Sequence, residues 1–156
     1  NTYVLPMFLF VFHHEISHLV LKHNLEQRSW IDEMQADIMA FQRVLKTLDS
    51  RLPVLGIVNA IFSFFDLLEI IERTRSVAAT TEEFKDRPDS HPYPPIRKQY
   101  IRLIGKVLLK DEPQQLEQVE TAYAVSERIF RFIWENIYGA LLMRKQLGEE
   151  LKAYGS

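Results

Sequence analysis

The residues at positions 14–18, His-Glu-Ile-Ser-His, restrict the local fold more strongly than any other feature of this chain. Residues four apart lie on the same face of an α-helix, one turn from each other. On a helix, His14 and His18 would therefore direct two imidazole nitrogens to one point, the arrangement that binds a Zn²⁺ ion at about 2.0–2.1 Å. The alternative is a helix face that carries two ordinary histidines.

The segment around this motif has the composition of a helix. Residues 3–23 contain no glycine and a single proline, Pro6, which lies near the start, where a helix tolerates it. The segment is apolar on nearly every face as far as Phe12, which predicts a helix that is buried on all sides. Buried polar side chains need partners, and a metal ion would provide one for His14, Glu15 and His18 together.

A second helix is predicted at residues 30–48. Ser29 is a favourable N-cap residue, and Asp32 stands three positions on as its partner in a structure like a capping box. The connection at 24–29 is short and polar, so the two helices are expected to be antiparallel neighbours. Apolar residues follow at helical spacing, namely Ile31, Met34, Ile38, Phe41, Leu45 and Leu48.

The register of this helical hairpin can be predicted from the rise of about 1.5 Å per residue. Glu33 comes level with His18, and Asp37 comes level with His14. Glu33 is therefore the predicted third metal ligand, and Asp37 is predicted to accept the ring N–H of His14 and so fix its tautomer. Three protein ligands with one open position are typical of a catalytic zinc site. Asp32 is a rival ligand, but its position on the helix is one residue out of phase. The alternative for Glu33 and Asp37 is a solvated helix face with ordinary carboxylates.

Two other histidines flank the motif. His13 points about 100° away from His14 around the helix, and we interpret it as a core or surface residue, with a buffering role or the support of a metal ligand as the alternative. His23 lies near the end of the same predicted helix, where a charged imidazolium is favourable. Neither residue is predicted to bind the metal.

The two patterns together resemble a known family. His-Glu-Ile-Ser-His followed by Glu-Met-Gln-Ala-Asp at 33–37 resembles the gluzincin zinc peptidases, which combine an HExxH motif with an ExxxD helix. Residues 90–97, Ser-His-Pro-Tyr-Pro-Pro-Ile-Arg, resemble the [ST]HPPxxxR segment of the CAAX-prenyl-protease and heat-shock-protein-X group. The chain is also similar to the small phage-exclusion peptidases of the Lit type. The likeness covers about residues 8–105, and Tyr93, which interrupts the usual His-Pro-Pro, departs from it.

The resemblance implies a zinc-dependent endopeptidase that acts on a protein or peptide substrate. Zn²⁺ would be bound by His14, His18 and Glu33, and Glu15 would act as the general base. His91 would donate a hydrogen bond to the oxyanion, and Arg97 would orient His91 or pair with a nearby carboxylate. The plainer alternative for His91 is an ordinary solvent-exposed loop histidine. For Arg97 it is a surface salt bridge. A catalytically inactive regulatory or binding module is the alternative function.

The rest of the chain is also predicted to be helical, so we expect an all-α fold. Further helices are predicted at 54–75, 96–109 and 112–154, with a long proline-rich loop at 76–95. We expect one domain over 1–156, with a catalytic core at about 1–105 and a long C-terminal helix at 111–154. The last helix has apolar positions that are expected to pack in the core, namely Leu116, Val119, Tyr123, Ile129, Phe130, Ile133, Trp134, Ile137 and Leu141. Gluzincins carry a sheet upstream of the HExxH helix, so the resemblance implies that this sheet is missing and that the chain is a fragment.

Composition excludes several classes of function. A net charge of -2 and a pI of about 6.2 provide no basic surface for nucleic acid. The absence of cysteine excludes disulfides and thiolate zinc ligands. Residues 52–71 are apolar, but Asp66 and Glu69 would be costly in lipid, so we predict a buried helix and a cytoplasmic protein, with membrane association as the alternative. Nothing in the sequence indicates the oligomeric state.

Overall fold

The computed structural model describes residues 4–24, 29–48, 51–80 and 93–154. Within these ranges every regular element is a helix, which confirms the predicted all-α fold. The helices are α1 (Val4–Val20), α2 (Trp30–Leu48), α3 (Val54–Thr80), α4 (Pro94–Leu108) and α5 (Pro113–Tyr154). The second helix has the bounds predicted for it. The third continues past its predicted end at 75 as far as Thr80, into the segment that was expected to be a loop.

The central element is α3, which contacts all four other helices. Its fully buried side chains form the middle of the core, and Phe65 also makes an edge-on ring contact with Phe10 of α1 at 5.6 Å between centroids. Neighbouring helices complete the core with Phe41 of α2, Ile101 of α4 and Val119 of α5. The buried side chains that α3 contributes are Val54, Ile57, Val58, Ile61, Phe62 and Phe65.

Among the described residues, the segment Val54–Val77 of α3 is long and apolar enough to cross a membrane. Its mean hydropathy reaches 2.0, and half of the most apolar stretch is buried inside the protein. Asp66 in the same helix is buried and accepts hydrogen bonds from Nζ of Lys98 at 2.5 Å and from the hydroxyl of Ser126. The position of α3 at the centre of the core accounts for the apolar residues on its buried faces.

The first two helices form the antiparallel hairpin that the sequence predicts. His18 lies opposite Glu33, and His14 lies opposite Asp37. The start of α2 is fixed by a reciprocal capping box: the Asp32 N–H donates to Oγ of Ser29 at 3.2 Å, and the Ser29 N–H donates to Oδ2 of Asp32 at 2.7 Å. The predicted cap is thereby confirmed, and it sets the register of the hairpin.

The end of α1 is closed by a left-handed turn. Lys22 has a φ of 59°, the His23 N–H donates to the carbonyl of His18 at 2.9 Å, and the Lys22 N–H donates to the carbonyl of Leu19 at 3.2 Å. This pair of hydrogen bonds is the Schellman motif, which usually has glycine at the left-handed position. The turn folds the chain back under the last turn of α1 and brings His23 beside His18.

Because a lysine in this conformation is strained, Lys22→Gly is expected to stabilise the protein. Relief of about 1–2 kcal/mol of strain is partly offset by the greater freedom of glycine in the unfolded chain, about 0.4–1 kcal/mol. We expect a net gain of about 0.5–1 kcal/mol in the free energy of unfolding, measured by urea denaturation. Lys22→Val is the matched control and should lose stability, because a branched side chain tolerates this conformation worst. Equal stability of the two variants would contradict the strain argument.

Two expectations about burial are wrong. The first helix is not buried on all sides: Phe10 is fully buried, whereas Val4, Phe8 and Phe12 are exposed, because only one face of α1 meets α2 and α3. In α5, Val119 and Trp134 are buried as expected, but Ile129 and Ile133 are exposed. Within the described residues, only the face of α5 that meets α3 and α4 is covered.

Candidate metal centre

Three side chains from the hairpin converge on one buried point. The Nε2 atoms of His14 and His18 are 3.1 Å apart. Oε2 of Glu33 lies 3.3 Å from Nε2 of His14, and Oε1 lies 3.4 Å from Nε2 of His18. All three residues are at most 6% exposed. Ligand atoms around a tetrahedral ion with bonds of about 2.0–2.1 Å lie about 3.3–3.4 Å from each other, so this group has the spacing of a metal site.

The local sequence explains why these groups meet. The four-residue spacing places both histidines on one face of α1. The capping box begins α2 at Trp30, so that Glu33 lies in its first turn, where the helix dipole favours a carboxylate. The structure therefore brings His14, His18 and Glu33 together as the sequence predicts. Asp32, the rival ligand, is instead occupied in the cap with Ser29.

Asp37 fixes the orientation of His14. The ring Nδ1–H of His14 donates to Oδ1 of Asp37 at 2.8 Å, because a carboxylate can only accept. The lone pair on Nε2 is thereby directed toward Glu33 and His18. Burial lowers the pKa of His14, but hydrogen bonds to Asp37 and Glu33 outweigh this effect, so that the pKa is raised above its ordinary value.

Arg97 holds Asp37 in turn. Its Nε and one terminal nitrogen donate to the two oxygens of Asp37, both at 2.7 Å. Its other terminal nitrogen lies 3.6 Å from Oε2 of Glu33, and the guanidinium stacks over the ring of Phe65 at 5.3 Å. Burial lowers the pKa of Arg97, but Asp37 and Glu33 raise it by more, so the side chain stays charged. At 8% exposure this arginine does not form a surface salt bridge.

Tyr93 anchors the start of the helix that carries Arg97. Its hydroxyl donates to Oε1 of Glu69 at 3.0 Å and accepts from Nε of Arg73 at 3.1 Å. Pro94 follows at the first position of α4, where proline is favoured because its missing N–H would have no partner in the helix. Tyr93 therefore ties α4 to α3.

A pocket of about 140 Å³ opens beside His14 and Glu33, two of the three converging residues. It has room for several water molecules. The side chain of Glu15 is 58% exposed, and its Oε1 lies 4.0 Å from Nε2 of His14. The pocket thus gives solvent access to His14 and Glu33 on the side where Glu15 lies. Its lining residues are Phe10, Val11, His14, Glu15, Glu33, Phe64 and Arg97.

One predicted role stays a prediction, and one contact was not predicted. His91 lies outside the described residues, so its role at the oxyanion stays a prediction. His23, which was interpreted only as a residue at a helix end, instead has its ring against His18, with the two Nδ1 atoms 2.9 Å apart. A histidine five residues after the motif is a weak signal by itself, because its contact depends on the left-handed Lys22.

Comparison of the chain with protein-family models, with curated proteins and with solved structures gave no match. The interpretation of the site therefore depends on its own chemistry. Two imidazole nitrogens and one carboxylate, with their lone pairs directed to one place, are donors that zinc commonly takes in catalytic sites. A divalent cation would offset the mutual repulsion of these lone pairs, so the residues present fit such an ion.

Proposed function

We propose that this chain is a gluzincin-type zinc endopeptidase domain that hydrolyses peptide bonds. His14, His18 and Glu33 would bind Zn²⁺, and Glu15 would act as general base. The observation that carries this proposal is the convergence of three ligand groups at 3.1–3.4 Å beside a pocket that also contains Glu15. The resemblance of the motifs at 14–18, 33–37 and 90–97 to that family supports it further.

The proposed roles follow from the positions of the side chains. When bound, zinc supplies Lewis acidity that acidifies a water molecule and polarises a peptide carbonyl. Glu15 takes the proton from that water and later delivers it to the leaving amine. Its exposure and its position in the pocket wall support this role, as does the distance of 4.0 Å between its Oε1 and Nε2 of His14.

The remaining side chains hold this arrangement in place. Asp37 keeps the Nε2 lone pair of His14 directed at the ion, and Arg97 keeps Asp37 in position. Arg97 is thus proposed as a positioning residue that pairs with a carboxylate, which is one of the two roles expected for it. From the family resemblance, His91 is proposed to stabilise the oxyanion.

Direct measurement of metal binding tests the first half of the proposal. The full chain should bind one equivalent of Zn²⁺, and zinc at about 100 times its Kd should add about 2.7 kcal/mol to the free energy of unfolding. His18→Phe should abolish both effects, because it removes a ligand atom and leaves an aromatic ring in its place. His13→Phe is the matched control and should change neither. A wild-type chain whose melting temperature does not respond to zinc or to a chelator would refute the site.

A further inference from the structure

A line of hydrogen-bonding groups runs from His18 away from the proposed metal position. Nδ1 of His18 lies 2.9 Å from Nδ1 of His23. On the far side of His23, Nε2 lies 3.1 Å from Oε1 of Gln35 and 3.6 Å from Oδ1 of Asp32. The side chain of His23 is 6% exposed, so its ring nitrogens depend mainly on His18 and Gln35 for hydrogen bonds, while the Asp32 carboxylate lies close enough for electrostatic attraction.

The chemistry of the outer groups assigns the protons along this line. A carboxylate oxygen and an amide oxygen only accept hydrogen bonds, so Nε2 of His23 carries the hydrogen that faces Asp32 and Gln35. In the neutral ring, Nδ1 of His23 then bears a lone pair. The one hydrogen between the two facing Nδ1 atoms therefore belongs to His18. This leaves Nε2 of His18 with its lone pair directed toward His14 and Glu33, as a metal ligand requires.

The backbone is strained to make this contact. His23 reaches His18 only because Lys22 adopts the left-handed conformation, which costs a lysine about 1–2 kcal/mol. The ring centroids of the two histidines consequently lie 5.0 Å apart, nearly perpendicular to each other at 68°. Strain that persists in a folded protein is commonly found at functional sites.

We propose that His23 is a positioning residue for the metal ligand His18, in the same way that Asp37 positions His14. His23 accepts the Nδ1–H of His18, and Asp32 and Gln35 at the start of α2 hold His23 in the tautomer that can do so. The inference depends on the metal site proposed above. It gives both ligating histidines a defined tautomer, one through a carboxylate and the other through an imidazole.

Zinc affinity of the full chain, measured by competition with a chromophoric chelator, tests this role. Loss of a partner that orients a ligating histidine typically weakens metal binding about 10- to 100-fold, and we expect this loss for His23→Phe, which keeps a ring but has no acceptor. His23→Asn should recover most of the affinity, because its Oδ1 is an acceptor close to the position of the lost Nδ1. A role in packing alone would give the reverse order, with phenylalanine the better substitute. His13→Phe is the control and should bind as the wild type does.

The outcomes separate the two proposals. A wild-type chain that binds no zinc would overturn this inference and the proposed function together. A wild-type chain that binds zinc, with a folded His23→Phe variant of equal affinity, would overturn this inference alone. If the variants do not fold, ¹⁵N NMR of the zinc-loaded wild type decides: a hydrogen on Nε2 and none on Nδ1 of His23 supports the role, and the opposite tautomer refutes it.

Discussion

Glu15→Gln is expected to keep zinc bound and to lower the rate of peptide hydrolysis by about 10²- to 10⁴-fold, the usual contribution of a general base. Glutamine has the shape of glutamate, but its neutral amide cannot take a proton from water. The fold should tolerate the change, since the side chain is 58% exposed and lies outside the group of His14, His18 and Glu33. The loss should therefore appear in catalysis and leave metal content and melting temperature unchanged.

The measurement is cleavage of an unfolded protein substrate by the zinc-loaded chain, followed by mass spectrometry of the products. Glu117→Gln is the matched control, because Glu117 is an exposed glutamate on α5, outside the site, and its variant should cleave as the wild type does. Retained hydrolysis in Glu15→Gln would refute the proposed mechanism. A wild-type chain that binds zinc and cleaves nothing would instead favour an inactive binding module.

The largest loss of stability is expected for Arg97→Met in the metal-free protein, at about 3–5 kcal/mol. Asp37 and Glu33 are 0% and 1% exposed, and Arg97 lies against both of them. Its removal would deprive two buried carboxylates of the guanidinium charge that compensates them. Methionine keeps most of the apolar stem, so the loss measures mainly the charge. Urea denaturation of the chelated protein gives the value, and added zinc should restore part of it because the ion would compensate Glu33.

Arg102→Met provides the comparison for this effect. Arg102 pairs with Glu120 through two donor groups, but the two side chains are 28% and 35% exposed. Exposed ion pairs contribute about 0–1 kcal/mol, so this variant should lose far less stability. Similar losses in the two variants would show that the buried position of Arg97 has no special consequence for stability.

The parts of the site that could be predicted follow short-range rules. The four-residue spacing of His14 and His18 determines which face of α1 they share. The Ser29 cap fixes the first turn of α2, and the short connection fixes the register that brings Glu33 to His18. These rules need only helical geometry and capping chemistry.

The parts that could not be predicted depend on contacts without a local signal. The pairing of Arg97 with Asp37 joins residues 60 positions apart, and only a family resemblance pointed to that arginine. The contact of His23 with His18 requires a left-handed lysine, which residue preferences argue against. The exposed side of α1 was missed for a different reason: a segment that is apolar on every face carries no periodicity to show which side will be covered.

The arrangement of the hairpin also has a consequence for how the protein reaches its folded state. His14 and Glu33 are separated by nineteen positions along the chain, whereas most of the core requires α3 to meet helices much farther away. Closing so short a loop costs little chain entropy, and contacts that are near in sequence form early during folding. The three converging side chains would thus come together before most of the core forms, and an ion bound by them would act as a nucleus for the folding of the remaining helices.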